Sequence, residues 1–397
     1  MARTVIALVG ENRNGILECQ SRRFNALLEP MGLEGRMVQL GTAGAATELA
    51  TLLQGDIAFA WGYAGVGAQL ALDGGNLWER VKVPFVSVLA DAPFIMPINH
   101  HVRSSWVVNG YVYREWLELQ RRHVRSAQIS ALLPMGVIPN EERHRVAWSE
   151  RPLRMVFVKS GADPDRLRAR WDRWPARLRP VLHDSAAELA ALGTGPITDV
   201  VERGLAAHDV VLGHNQPLLF GLLHELDSYV RALRATTMVR ALLPLPVEVI
   251  GDGWDHLVEE PGRARFHNAM AAHELDMLYA QTQILLNVTP NFGSGAHERV
   301  LRGFAARACV VSDDNDHART HLHGLPSYHG VEWNAPDLPD RLAAIFHDGA
   351  RYDDRLDEAE AYVKGRHDPG VFLQHVAELA DVARLSPTMS GYMLDAA

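Results

Sequence analysis

Residues 285–316 read LLNVTPNFGSGAHERVLRGFAARACVVSDDND, and this stretch holds the densest chemistry of the chain. An apolar run ends at Asn287 and enters a loop with Pro290, Asn291, Gly293, Ser294 and Gly295. His297-Glu298-Arg299 then opens a helix, and Cys309–Val311 follows as a strand. Glycines leading into a helix start gather backbone N–H groups into a concavity suited to phosphate. Arg299 adds a fixed cation able to grip two diphosphate oxygens. Glu298 could accept one ribose hydroxyl on each carboxylate oxygen. The same pattern also fits a solvated helix start, where an acidic first-turn residue is expected anyway.

Other segments offer weaker chemistry. Lys159, one of only three lysines with Lys82 and Lys364, ends the apolar run Leu153–Val158; a cation there could reach phosphates or simply be solvated. Gly251-Asp252-Gly253-Trp254 follows Val249-Ile250. It could shape a base pocket with Trp254 as a wall, or turn strand into helix with the indole in the core. Asp91 ends the run after Phe85–Leu89, where a carboxylate can act as base on an acceptor hydroxyl or cap a turn. Gly10 and Gly15 flank a loop, GENRNG, that is not a full GxGxxG.

Three patterns are set aside. Asp313-Asp314-Asn315-Asp316 could hold a metal against diphosphate, but capping or solvation suits its place after a late strand better. The 19 histidines include His317, His321, His323 and His329 without an HExxH or a closed ligand set. His100-His101 could line an acceptor, though a surface pair is the ordinary outcome. No GxSxG elbow or Walker A occurs, which removes the usual hydrolase and NTPase readings.

The elements that must position these residues form an alternating series, the pattern of α/β architecture. Strand candidates are Thr4–Val9, Arg36–Leu40, Asp56–Ala60, Phe85–Leu89, Trp106–Val108 and Gln128–Leu132. After a polar break near Pro139–Pro152 come Leu153–Val158, Val210–Leu212, Val247–Ile250, Ile284–Val288, Ala308–Val311 and Gly330–Glu332. Helical spacing marks Gly221–Leu242 and His273–Ala280 among others. Two such series in 397 residues imply two doubly wound, Rossmann-like domains facing across a cleft. The boundaries read 1–148, 149–380 and a loose tail over 381–397.

Bulk properties narrow the partners. A net charge of −9 without a Lys/Arg block argues against nucleic acid. Two distant cysteines do not make a disulfide framework. Val5–Val9 is too short for a signal segment, and no apolar stretch nears the ~20 residues of a membrane helix. A cytoplasmic protein is expected, and a homodimer is allowed.

The residues from Asn287 to Val300, with Ser312-Asp313, resemble the pattern "N…P.F..G.HERV…A…G…V.SD" of CgeB-like (spore maturation protein B-like) glycosyltransferases. Gly251-Asp-Gly-Trp254, Arg366-His367, Asp227-Ser-Tyr-Val-Arg231 through Leu243, and Asp91-Ala-Pro93 are further similarities. Arg302 stands where relatives often carry a glutamate, and His367-Asp-Pro369 replaces "H-T-aromatic". The resemblance implies a GT-B fold and a nucleotide-sugar co-substrate, with no metal or other cofactor. The second domain would bind the donor and the first would carry the acceptor side. Arg299 would stabilise the leaving diphosphate, and Asp91 is the candidate base. A nucleotide-sugar epimerase of the same fold and a non-catalytic glycan- or partner-binding relative are the alternatives. The acceptor, a protein, glycan or small molecule, is not identified.

Overall fold

The computed structural model describes residues 2–11, 14–124, 128–139, 146–193, 195–213, 215–348, 352 and 355–394. The chain divides into two compact units, 1–138 with 367–397, and 139–366.

The first unit is built on β1 (Arg3–Val9), β2 (Leu33–Gln39), β3 (Ile57–Tyr63), a small hairpin of β4 (Ala71–Leu72) and β5 (Gly75–Asn76), β6 (Phe85–Leu89), β7 (Val107–Tyr111) and β8 (Ser130–Leu132). Without the hairpin, six parallel strands lie in the order β2-β1-β3-β6-β7-β8. Alternation along β1 sends Val5 and Ala7 to one face and Ile6 and Leu8 to the other. Both faces are covered, as a parallel sheet requires. Trp61, Phe24 and Val88 fill one side; Trp78, Phe85 and Leu49 fill the other.

The second unit repeats the design with β9 (Leu153–Val158), β10 (Glu248–Ile250), β11 (Arg265–His267), β12 (Thr282–Asn287), β13 (Cys309–Asp313) and β14 (Tyr328–Val331). Its parallel order is β11-β10-β9-β12-β13-β14. Chain order reverses between β9 and β12, so the topological switch point lies at their carboxyl ends.

Three expectations change. Val210–Leu212 is no strand: it lies in a loop after the helix Ile197–Ala207, with Val211 90% exposed. Arg265–His267, too polar to read as a strand, is the sheet edge. The sequence boundaries 149–380 and 381–397 also give way. Asp368 caps the amides of Gly370 and Val371 at 2.8 and 2.9 Å and Pro369 occupies the first turn. The result is one helix, Pro369–Leu394, the expected product of an Asp-Pro start. Its stripe Phe372, Leu373, Val376 and Ala380 is buried in the first unit's core, with Phe372 4.9 Å from Phe24. Among the described residues no helix is long and apolar enough to cross a membrane, and Cys19 and Cys309 are both free thiols.

Candidate functional site

Sequence and topology meet at the switch point of the second unit. Lys159 follows β9 directly, and the loop from Val288 to His297 follows β12. The loops after β9 and β10 touch through backbone. Lys159 N–H donates to the Ile250 carbonyl at 2.9 Å, and Gly161 N–H to that of Asp252 at 2.8 Å. Gly251 makes this approach feasible: its φ is 141°, and a Cβ there would sit 2.4 Å from the Lys159 carbonyl oxygen. Trp254 is buried, and its indole N–H donates to that same carbonyl at 3.0 Å. It therefore acts by pinning the Lys159 backbone from the core, not as an open wall. Asp252 accepts from Ala269 N–H at 3.0 Å, which ties the turn down.

The glycine loop is equally fixed. Asn287, fully buried, donates to Ser312 Oγ at 2.9 Å and accepts from Arg299 Nη1 at 2.7 Å. Thr289 N–H donates to Asp313 Oδ1 at 2.6 Å. Phe292 N–H bonds the Pro290 carbonyl at 2.7 Å. Asn315 donates to the carbonyls of Gly295 and Phe292 at 3.0 and 3.4 Å, and His317 N–H reaches that of Gly293 at 2.9 Å. Ser294 is exposed at the tip. His297 is the N-cap of the helix Glu298–Ala305. Its Nδ1 accepts from Arg299 N–H at 3.2 Å, so that nitrogen carries no proton. Burial, reinforced by the positive charges of Arg299, Lys159 and Arg231, holds the imidazole well below its usual range and keeps the cap neutral.

A third element was not expected in the site. The helix Gln216–Leu242 lines up Asp227, Arg231 and Arg234 at intervals of four and three, one helical face. Asp227 Oδ1 accepts from Asn291 at 2.8 Å, and Arg231 Nη1 lies 3.4 Å from Asp227 Oδ2. Arg234 is fully buried, donates to the Thr289 carbonyl at 3.3 Å, stands 3.9 Å from Asp313 Oδ2 and lies over the Trp333 ring. The sequence signal was present: an arginine one turn past Val230 and one before Met238, both wholly buried, is a charge inside an apolar stripe.

The electrostatics favour an anion. Lys159, Arg231, Arg234 and Arg299 face Asp227 and Asp313, so cations outnumber carboxylates by two. Burial pushes the Lys159 ammonium well below its ordinary range, and repulsion from Arg231 and Arg299 adds to it. Burial also lowers Arg299. The carboxyl of Asp313 rises through burial, although Arg234 and the Thr289 N–H oppose this.

Glu298 is engaged by an arginine of its own helix. Arg302 donates to Glu298 Oε1 at 3.1 Å and to Asp276 Oδ1 at 2.7 Å, lying over the Tyr279 ring. The arginine at a position often acidic in the resembling family thus clamps two carboxylates. Asp91 lies exposed past β6 in the first unit. His100, expected at the surface, is buried there: its Nδ1 lies 2.9 Å from the Tyr111 hydroxyl. Gly15 starts the first helix in a left-handed conformation; Asn12 and Arg13 of GENRNG lie outside the described residues. Asp314 pairs with His323 at 2.8 Å and Asp316 with Arg319 at 2.6 Å. Among the described residues no three His, Cys, Asp or Glu side chains converge to hold a metal.

No family model matches the chain, and no curated protein does. Solved structures do. AviGT4, a glycosyltransferase involved in avilamycin A biosynthesis, aligns over 97% of this chain and 98% of its own at 12% identity and a TM-score of 0.52. An α-glucosyltransferase in complex with UDP and a 13-mer DNA aligns over 96% and 99% at 9% identity and 0.52. A DNA-modifying β-glucosyltransferase aligns over 95% and 99% at 10% identity and 0.50. Likeness at such identity speaks for fold: the chain has the two parallel-sheet, Rossmann-like units of the GT-B glycosyltransferases.

Proposed function

We propose that this chain is a glycosyltransferase that takes a sugar from a nucleotide carrier, with the carrier's diphosphate held by the second unit. One observation carries the reading. Lys159, at the end of a strand, and Arg299, in the first turn of the helix after the glycine loop, lie at the switch point of a Rossmann-ordered sheet, where positive charge exceeds negative. A diphosphate leaving group needs such preorganised cations, since developing charge is best met by groups already in place. The transfer is metal-independent in this reading, because Arg299 and Lys159 supply the neutralisation themselves. Glu298 receives the ribose, and Asp91 of the first unit serves as base toward the acceptor hydroxyl. The run from Asn287 to Val300, with Asp227 and Arg231, supports the CgeB-like branch, and a cytoplasmic site of action accompanies it.

Two of the fold neighbours act on or bind DNA. For this chain a net charge of −9 without a basic stripe favours a different acceptor. Nucleotide sugars should be screened by thermal shift, since a ligand at 100 times its Kd adds about 2.7 kcal/mol. Product analysis then separates transfer from isomerisation of the sugar. If no nucleotide sugar stabilises the protein, the donor-site reading is wrong.

A further inference from the structure

The helix Gln216–Leu242 approaches the glycine loop at two points. Asp227 bonds Asn291 at 2.8 Å, and Arg234, about 10 Å further along the axis, bonds the Thr289 carbonyl at 3.3 Å. Arg231 lies between these anchors on the same face. Its neighbours on the stripe are committed: Arg234 is fully buried, and the Asp227 side chain is 5% exposed. Arg231 is 31% exposed, and its one ion pair among the described residues, to Asp227, is long at 3.4 Å with a single Nη. A guanidinium has five N–H donors in a planar fork, so most of its bonding capacity is left. Its partner Asp227 is bonded to Asn291, which places Arg231 beside the glycine loop, and its charge acts on Lys159, Arg299 and His297.

We propose that Arg231 is a third anion-binding residue of this site, donating to phosphate oxygens of the donor together with Lys159 and Arg299. Asp227 and Asn291 act as positioning residues. Asn291 holds one carboxylate oxygen of Asp227, and the other holds one end of the Arg231 fork. The site thus draws one cation from a strand end, one from a short helix after the glycine loop and one from the long helix. The inference rests on the donor-site reading but requires only that an anion of the diphosphate kind binds there.

The test uses the full chain with inorganic pyrophosphate and UDP as calorimetric probes. Arg231→Met should weaken both by about 10- to 100-fold, the range for one charged hydrogen-bonding partner. Uridine binding should stay unchanged. Arg231→Lys should recover part of the loss, and Asp227→Asn should weaken pyrophosphate several-fold with the arginine still present. A merely structural i,i+4 pair would instead lower the urea midpoint and leave both affinities intact, and that result overturns the proposal. Should Arg231→Met fail to fold, Arg231→Lys decides: wild-type pyrophosphate affinity with wild-type stability counts against a fork-dependent role. If wild-type protein binds pyrophosphate but no nucleotide sugar, the donor reading falls while the Arg231 comparison still stands on its own. If it binds neither, both fall.

Discussion

Replacing Lys159 by Met tests the site through two effects of opposite sign. The backbone bonds at this position, N–H to Ile250 and carbonyl to Trp254, survive the change, and Met roughly matches the removed stem in volume. What disappears is an ammonium depressed first by burial and then by Arg231 and Arg299, with partial relief from Asp227 and Asp313. Two repulsive neighbours against two attractive ones leave burial as the unbalanced cost. Because the side chain is only half-buried, solvent screening reduces that cost, and Lys159→Met should stabilise the ligand-free protein by about 0.5–2 kcal/mol. The pH dependence has a defined sign. The folded-state pKa lies below the unfolded value of about 10.4, so the unfolded chain binds more protons between the two. Stability from this group therefore rises with pH through that window. The variant should lose that slope in urea titrations run downward from about pH 10. Donor binding goes the other way: loss of one charged partner costs about 1.5–3 kcal/mol, read as a roughly 10- to 150-fold higher Kd for UDP. A variant less stable than wild type at neutral pH, with unchanged UDP affinity and slope, would refute the reasoning.

Arg299→Ala removes both the bond to Asn287 and the proposed charge on the leaving group. Turnover should fall by about 10²- to 10³-fold with the fold intact by circular dichroism, and wild-type rates would remove the donor-site reading. Arg302→Met leaves Glu298 and Asp276 without their shared cation, whose side chain is 13% exposed. It should cost about 2–3 kcal/mol in chemical denaturation and reduce the preference for UDP over its 2′,3′-dideoxy analogue; an unchanged preference would detach Glu298 from ribose. His100 is held neutral by burial down to about pH 3, with His101 contributing. The unfolded chain takes up this proton near 6.5, so first-unit stability should fall as pH drops from about 6.5 toward 3. A His100→Asn variant should show a flatter acid limb in pH-dependent unfolding, and an equally steep limb would assign the acid sensitivity elsewhere.

The sequence displays what depends on local pattern and conceals what depends on pairing. Buried runs such as Val5–Val9 and Ile284-Leu285-Leu286 are visible because both sheet faces are apolar. Arg265–His267 could not be read this way. As an edge strand it carries Arg265 and His267 outward, both paired to Glu248 of β10, and that partner lies 17 and 19 residues away. Val210–Leu212 misled for the converse reason: three apolar residues suffice for a pattern but not for a neighbour to bond. The placement of the glycine loop, Lys159 and Arg299 just beyond strands is legible from residue type and order. Arg234 and Asp313 show as a charge in an apolar stripe and a carboxylate after a strand, but their pairing does not show. Their role as a buried frame depends on a helix that returns to the loop across 55 residues of chain, from Arg234 to Thr289. The closing helix showed its start in Asp368-Pro369, yet an apolar stripe does not say which sheet it will cover.

That helix makes the first unit discontinuous along the chain. Vectorial synthesis releases β1 to β8 long before Phe372, Leu373 and Val376, with residues 139–366 of the other unit intervening. At about 5–20 residues per second the wait is on the order of 10–45 s. Through that interval the sheet face around Phe24, Trp61 and Val88 has no lid. The core laid down first along the chain is thus completed last, when the stripe Phe372, Leu373, Val376 and Ala380 docks on it.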